Sequence, residues 1–157
     1  MNIVSMHIPK VGGLTFQDHL KHLFGKKRVL WDYNRADHPD YEPGAISPHL
    51  LKQLRHPLKT TVIHGHFFMS KYAGLPLVYK VAWFRDPVER LLSHYYYWLR
   101  GPDMDHPLCK RLHEEGMGVV EFAELPEMQN LFSRFMDGVK VEELAWVGLI
   151  EEYKAGS

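Results

Sequence analysis

The chain has almost no cysteine, no net charge and no long apolar run, and each shortage narrows what it does. One cysteine, Cys109, among 157 residues excludes an internal disulfide and fits a reducing compartment. A lone thiol of this kind reads as passive rather than nucleophilic. The 19 Lys and Arg residues balance 19 Asp and Glu residues. No long-range field gathers polyanions, so a nucleic-acid partner is not expected and any anion site must be local. No apolar run approaches the roughly 18 residues that a membrane span needs, so no membrane partner is expected either. Met1 stands directly before the first expected strand, residues 2–8, so no signal peptide is expected. Repeats and low-complexity tracts are absent. The length suits one domain, residues 1–157, around one core.

What is present is organised around His7-Ile8-Pro9-Lys10-Val11-Gly12-Gly13-Leu14-Thr15-Phe16. A short apolar run leads in and an amphipathic run, Thr15 to Phe24, leads out: strand, glycine loop, helix. Paired glycines let backbone N–H groups turn towards an anion. The helix start adds free N–H groups and a positive dipole end. Lys10 adds a mobile charge and Thr15 a hydroxyl, so the stretch reads as a cradle for phosphate or sulfate. It is not a Walker A loop, because the lysine precedes the glycines.

Along the chain, residues 2–8 read as a buried strand and 14–24 as a helix with Leu14, Leu20, Leu23 and Phe24 facing the core, stopped by Gly25. Lys26-Lys27-Arg28 reads as a solvated turn before a short strand at Val29-Leu30-Trp31. Residues 32–48 form a long loop suited to a lid, and 47–55 a helix opened by Ser47 and Pro48. Thr60 to Ile63 is a strand running into His64-Gly65-His66, whose two histidines share one face. Metal binding, a structural role and catalysis all remain open for this pair. The spacing offers no clear third metal ligand, whereas a strand's C-terminal end is where open α/β sheets bind ligands. Leu77 to Phe84 is the most strand-like run. Asp86 caps, and Pro87 opens, a helix to about Leu99, ended by Gly101-Pro102. Arg85 and Ser93 can then converge on one anion, with the guanidinium fork suited to phosphate oxygens. Arg90 reads as structural or ion-paired. Further helices are expected at 108–112, from Val119 to Ala123 and from Pro126 to Met136, and a strand from Trp146 to Tyr153.

Two segments carry a family resemblance. The first is the loop just described. The second is Phe84-Arg85-Asp86-Pro87-Val88-Glu89-Arg90-Leu91-Leu92-Ser93-His94-Tyr95-Tyr96. Together, and in this order, they resemble the sulfotransferase superfamily that uses 3′-phosphoadenosine 5′-phosphosulfate (PAPS), in the carbohydrate branch with the heparan sulfate 2-O- and 6-O-sulfotransferases. Asn130, Arg134 and Phe135, and the run Val147-Gly148-Leu149, resemble further family segments. Val11 and Leu14 depart from it, standing where hydroxyl residues are usual. The resemblance implies an α/β fold: a single-domain, P-loop-like, three-layer arrangement with a central parallel sheet flanked by helices.

It also implies a chemistry. A sulfuryl group would pass from PAPS to a hydroxyl, with a small-molecule or carbohydrate acceptor as partner and no metal. Lys10, Gly12, Gly13, Leu14, Thr15 and Phe16 would hold the donor's 5′ end, and Arg85 and Ser93 its 3′-phosphate. Lys10 would neutralise charge on the departing phosphate. His66, matching the second histidine of a His-Gly-His segment in the 2-O-enzymes, would be the base, with His64 in support. An imidazole of pKa near 6.5 suits that task. The animal enzymes of this branch are Golgi-membrane proteins; with no anchor here, a cytoplasmic location is expected. Family members continue past Val147-Gly148-Leu149 with a closing segment, and this chain stops at Ser157. The alternative expectation is therefore a non-catalytic relic that binds the nucleotide or sulfate. A sheet edge left uncovered would suit a homodimer.

Overall fold

The computed structural model describes residues 2–33, 46, 61–75 and 78–155. The expected helix at 47–55 and most of the loop at 32–48 lie outside the described residues. In chain order come β1 (Asn2–Met6), α1 (Gly13–Phe24), β2 (Val29–Asp32), β3 (Thr61–Gly65), β4 (Val78–Phe84) and α2 (Pro87–Leu99). Then follow α3 (Pro107–Glu114), α4 (Val119–Glu124), α5 (Leu131–Met136), β5 (Trp146–Leu149) and α6 (Ile150–Ala155). The strands form one parallel sheet in the order β2-β3-β1-β4-β5. This is the α/β architecture expected: α1 joins β1 to β2, and α2 to α5 lie between β4 and β5.

β1 is central and its side chains alternate between two cores. Val4 and Met6 pack with Ile8, Val11, Ile63, Phe67 and Met136 on one face. Ile3 packs on the other, with Leu20, Val29 and Val62 under α1. A third cluster, Trp98, Cys109, Leu112, Met117, Phe122, Leu125 and Met128, joins α2, α3 and α4. Cys109 is buried there. The register sets Met6 level with Gly65 on one side and with Ala82 on the other, so β1 and β3 end together, β4 runs on to Phe84, and their following loops share one edge. Gly65 is required by backbone proximity: a Cβ there would lie 1.7 Å from the carbonyl oxygen of Asp32.

Four expectations are corrected. β1 ends at Met6 rather than residue 8, although the His7 N–H still donates to the Gly65 carbonyl at 2.8 Å. Leu23 is 73% exposed, because the apolar stripe of α1 runs at i, i+4, i+8 through Phe16, Leu20 and Phe24 and leaves Leu23 on its shoulder. The helix expected from Pro126 begins only at Leu131, because Asn130 takes φ +50 and a helix cannot pass through that geometry. The last strand stops at Leu149, and Glu151 and Glu152 favour the helix start that replaces it. The side chain of Leu14 lies outside the described residues.

α2 opens as its sequence demands. The Asp86 carboxylate accepts from the N–H groups of Val88 and Glu89, both at 2.9 Å, and Pro87 takes the first helical position. Asp86→Ala is expected to lower stability by about 1 kcal/mol, read as a shifted midpoint in urea denaturation.

Candidate active site

The loop after β1 owes its shape to two residues in the left-handed region, Lys10 at φ +71 and Gly12 at φ +77. Glycine adopts this freely, whereas lysine adopts it at a cost of order 1 kcal/mol. Between them Val11 turns inward and is 1% exposed. Its side chain belongs to the core, so the hydroxyl missing at this position is not missing from the cleft. Gly12 stands before α1, and no side chain caps that helix. Its first N–H groups therefore keep their capacity for an anion.

A cleft of about 1390 Å³ opens at the C-terminal edge of the sheet. Lys10, Gly12, Thr15 and Phe16 from the loop and α1, His66 after β3, Arg85 after β4 and Ser93 on α2 all line it. Gly13 and Leu14 begin α1, and their side chains lie outside the described residues. His64 is 1% exposed and does not line the cleft: it sits behind the wall, its Nδ1 2.9 Å from the Ser5 hydroxyl.

Cations gather around Lys10. The Lys10 ammonium lies over the Tyr97 ring, 3.8 Å from its centroid. Burial, then Arg100 and Arg85, hold its pKa below the ordinary lysine value. Arg85 donates to the Lys10 carbonyl at 3.4 Å and meets Glu89 at the same distance. These residues fit a phosphate- or sulfate-bearing ligand: donors and charges from separate elements converge on one open volume.

A cluster of imidazoles lies beside them, and strand register explains why. Ser5 pairs with His64 across β1 and β3, and two residues further along the same face come His7 and His66. The rings of His7 and His66 stack at 4.6 Å, and those of His7 and His64 at 5.3 Å. His7 was not singled out by its sequence, yet the apolar–polar alternation of β1 already placed it on the Ser5 face. Tyr33 meets the edge of His66 at 4.8 Å, and its hydroxyl lies 3.0 Å from His7 Nδ1 and 2.5 Å from Gln17 Nε2. Burial lowers the pKa of His66 to about 4. It lowers His64 to about 4, with His66 adding to the effect, and His7 to about 2. His66 is thus neutral at pH 7 but a weaker base than its unperturbed value suggested. Its Nδ1 is buried with no hydrogen-bond partner. Among the described residues no group of three or more His, Cys, Asp or Glu is placed to hold a metal ion, and no helix is long and apolar enough to cross a membrane.

A family model described as "Sulfotransferase family" matches residues 1–144. The chain belongs to this sulfotransferase family. Among solved structures it is similar to a sulfotransferase from Alicyclobacillus acidocaldarius, with a TM-score of 0.54 at 15% identity over 98% of this chain and 74% of that one. At that identity the likeness speaks for the fold. A looser likeness, with a TM-score of 0.42 at 10% identity, joins it to an uncharacterized protein from Eubacterium ventriosum over 99% of this chain and 93% of that one. No curated protein matches the chain.

The buried histidines make the fold acid-sensitive. In the unfolded chain each titrates near 6.5, whereas in the folded protein His7, His64 and His66 stay neutral down to about 2, 4 and 4. Stability is full above pH 6.5, where both states are neutral. Below that the unfolded chain alone takes up protons, and stability falls by up to about 1.4 kcal/mol per pH unit for each histidine. Thermal unfolding followed by circular dichroism is expected to show Tm steady from pH 8 to 7 and falling steeply from pH 6.5 to 5.

Proposed function

We propose that the protein is a PAPS-dependent sulfotransferase acting on a hydroxyl of a carbohydrate, as the heparan sulfate branch does. The observation that carries this is the convergence of Lys10, His66, Arg85 and Ser93, from three strand ends and a helix, on one cleft. The donor, when bound, supplies an activated sulfuryl group on a phosphate leaving group. Backbone N–H groups at Gly12 and the start of α1, with the Thr15 hydroxyl, receive its 5′ phosphate. Arg85 and Ser93 receive its 3′-phosphate. Lys10 leaves the Tyr97 ring to neutralise charge as it builds on the leaving oxygen. The neutral His66 imidazole takes the acceptor's proton, and His64 supports the ring stack from behind. Phe68, also on the cleft wall, offers a flat apolar face to a sugar ring.

Two experiments test this reading. Calorimetric titration with 3′-phosphoadenosine 5′-phosphate, the product nucleotide, is expected to give micromolar binding that Arg85→Ala weakens by about tenfold or more, as loss of a charge-assisted contact does. Absence of binding at millimolar nucleotide would overturn it. In a transfer assay with labelled donor and a desulfated heparan-type oligosaccharide, Lys10→Ala and His66→Ala are each expected to lower kcat by about 10²–10⁴. Near-normal turnover in either variant removes that residue's role. Nucleotide binding without transfer to any hydroxyl acceptor would favour a binding relic instead.

A further inference from the structure

α2 carries a buried pair that the chemistry above does not use. Arg90 is 3% exposed. A guanidinium cannot shed its proton at physiological pH, and a buried charge is costly unless something answers it. Among the described residues no carboxylate lies within ion-pair distance of it; its hydrogen-bond partner is His94 Nδ1 at 3.4 Å. Four residues separate the two along the helix, so they share a face.

The pairing has a chemical consequence. Arg is a donor only, so His94 Nδ1 must accept and the ring proton must sit on Nε2. Arg90 does not line the cleft, but His94 does, beside Ser93 and one turn before Tyr97 and Trp98. Its ring is gripped by Trp98, at 4.2 Å between centroids, and by Phe122 at 5.8 Å. Nε2 is therefore the ring nitrogen left for a cleft ligand. Burial first, and then the neighbouring Arg90 and Lys10, lower the pKa of His94 to about 3, so the ring stays a neutral donor.

We propose that His94, fixed as its Nε2–H tautomer by the buried Arg90, is a binding residue that donates to a tetrahedral oxyanion in the cleft, and that Arg90 is the positioning residue whose charge this anion answers. The identification of that oxyanion as a phosphate or sulfuryl oxygen of the donor nucleotide rests on the function proposed above. The tautomer itself does not.

The test has two arms. In histidine-¹⁵N-labelled protein without ligand, long-range ¹H–¹⁵N spectra at pH 7 are expected to show His94 with Nδ1 bare and Nε2 protonated, the signals being assigned by their loss in His94→Gln. An Nδ1–H tautomer or an imidazolium would overturn the proposal. In calorimetry, His94→Gln, which keeps an N–H donor near the same position, is expected to bind 3′-phosphoadenosine 5′-phosphate within about threefold of wild type. His94→Phe is expected to weaken binding about 10- to 100-fold, the usual loss for a hydrogen bond to a charged group. Because His94→Phe strands a buried charge, the double variant Arg90→Met/His94→Phe serves if the single one fails to fold. Inorganic sulfate titrated in parallel separates the sources. Weakening of both ligands assigns His94 to any tetrahedral oxyanion, and weakening of the nucleotide alone assigns it to the donor. Unchanged binding in His94→Phe, with Arg85→Ala still damaging, overturns the His94 proposal and leaves the nucleotide site standing. A wild-type protein that binds neither ligand overturns both.

Discussion

The whole arrangement depends on the register of β1 between β3 and β4. With Met6 level with Gly65 and with Ala82, three parallel strands deliver three different chemistries to one edge. The end of β1 brings a glycine loop, that of β3 a histidine pair, and that of β4 an arginine. A slip of one residue would carry every side chain of β1 to the opposite face, taking Val4 and Met6 out of their core and His7 away from His66. Register is held where slippage would cost most, at strands buried on both faces. Gly65 tightens it further, since the approach of Asp32 tolerates no side chain there.

From that register follow two electrostatic environments around a single cleft. The α1 face of β1 and β3 concentrates imidazoles, and their mutual burial keeps them uncharged. The β4–α2 side carries cations that cannot lose their charge, Arg85 in the cleft lining and Arg90 buried outside it. Lys10 sits where the loop crosses between the two, its φ of +71 aiming it away from the path a normal strand exit would give. A low local dielectric strengthens both halves: it makes the imidazoles neutral and the unanswered cations costly.

Much of this was legible in the residues, and the legible part has a common cause. Glycine, proline and capping residues act locally, so the loop at Lys10–Thr15, the Asp86–Pro87 helix start and the strand before Arg85 could all be located without tertiary information. Convergence of Arg85 and Ser93 followed from placing one at a strand end and the other on the next helix, and the family resemblance brought Lys10 to them. What stayed hidden depends on pairing. His7 joins His66 only once β1 and β3 have a register, and Tyr33 and Gln17 join it only once α1 and β2 are packed. The depressed pKa of His66 is a property of its burial, and burial is not local. Arg90 and His94 stood four apart in plain view, but an i, i+4 pair of that type is ordinary on a solvated helix. Its meaning comes from being buried. Asn130 misled for the opposite reason: a helical pattern around it was overridden by one left-handed residue.

The resting contacts of the cleft's cations set how readily the site accepts a ligand. Lys10 rests on Tyr97, a cation–π contact worth about 0.5–2 kcal/mol. Arg85 rests on Glu89 at 3.4 Å, an i, i+4 pair whose carboxylate is largely exposed, and such pairs contribute about 0.3–0.5 kcal/mol. Charge-assisted hydrogen bonds to an anion bring about 1.5–3 kcal/mol each. An oxyanion bound as proposed is therefore favoured over Glu89 for Arg85 and is at least comparable with the Tyr97 ring for Lys10. A bidentate Arg–carboxylate pair or a buried ammonium–carboxylate pair would have reversed that balance. Among the described residues there is one such strong pair, Lys71 with Asp32 at 2.8 Å, almost wholly buried and reinforced by the Tyr72 hydroxyl, and it stands at the end of β2, outside the cleft lining. Strong ion pairing is used where the sheet needs a fixed end, and weak pairing where charge must be free to change partners.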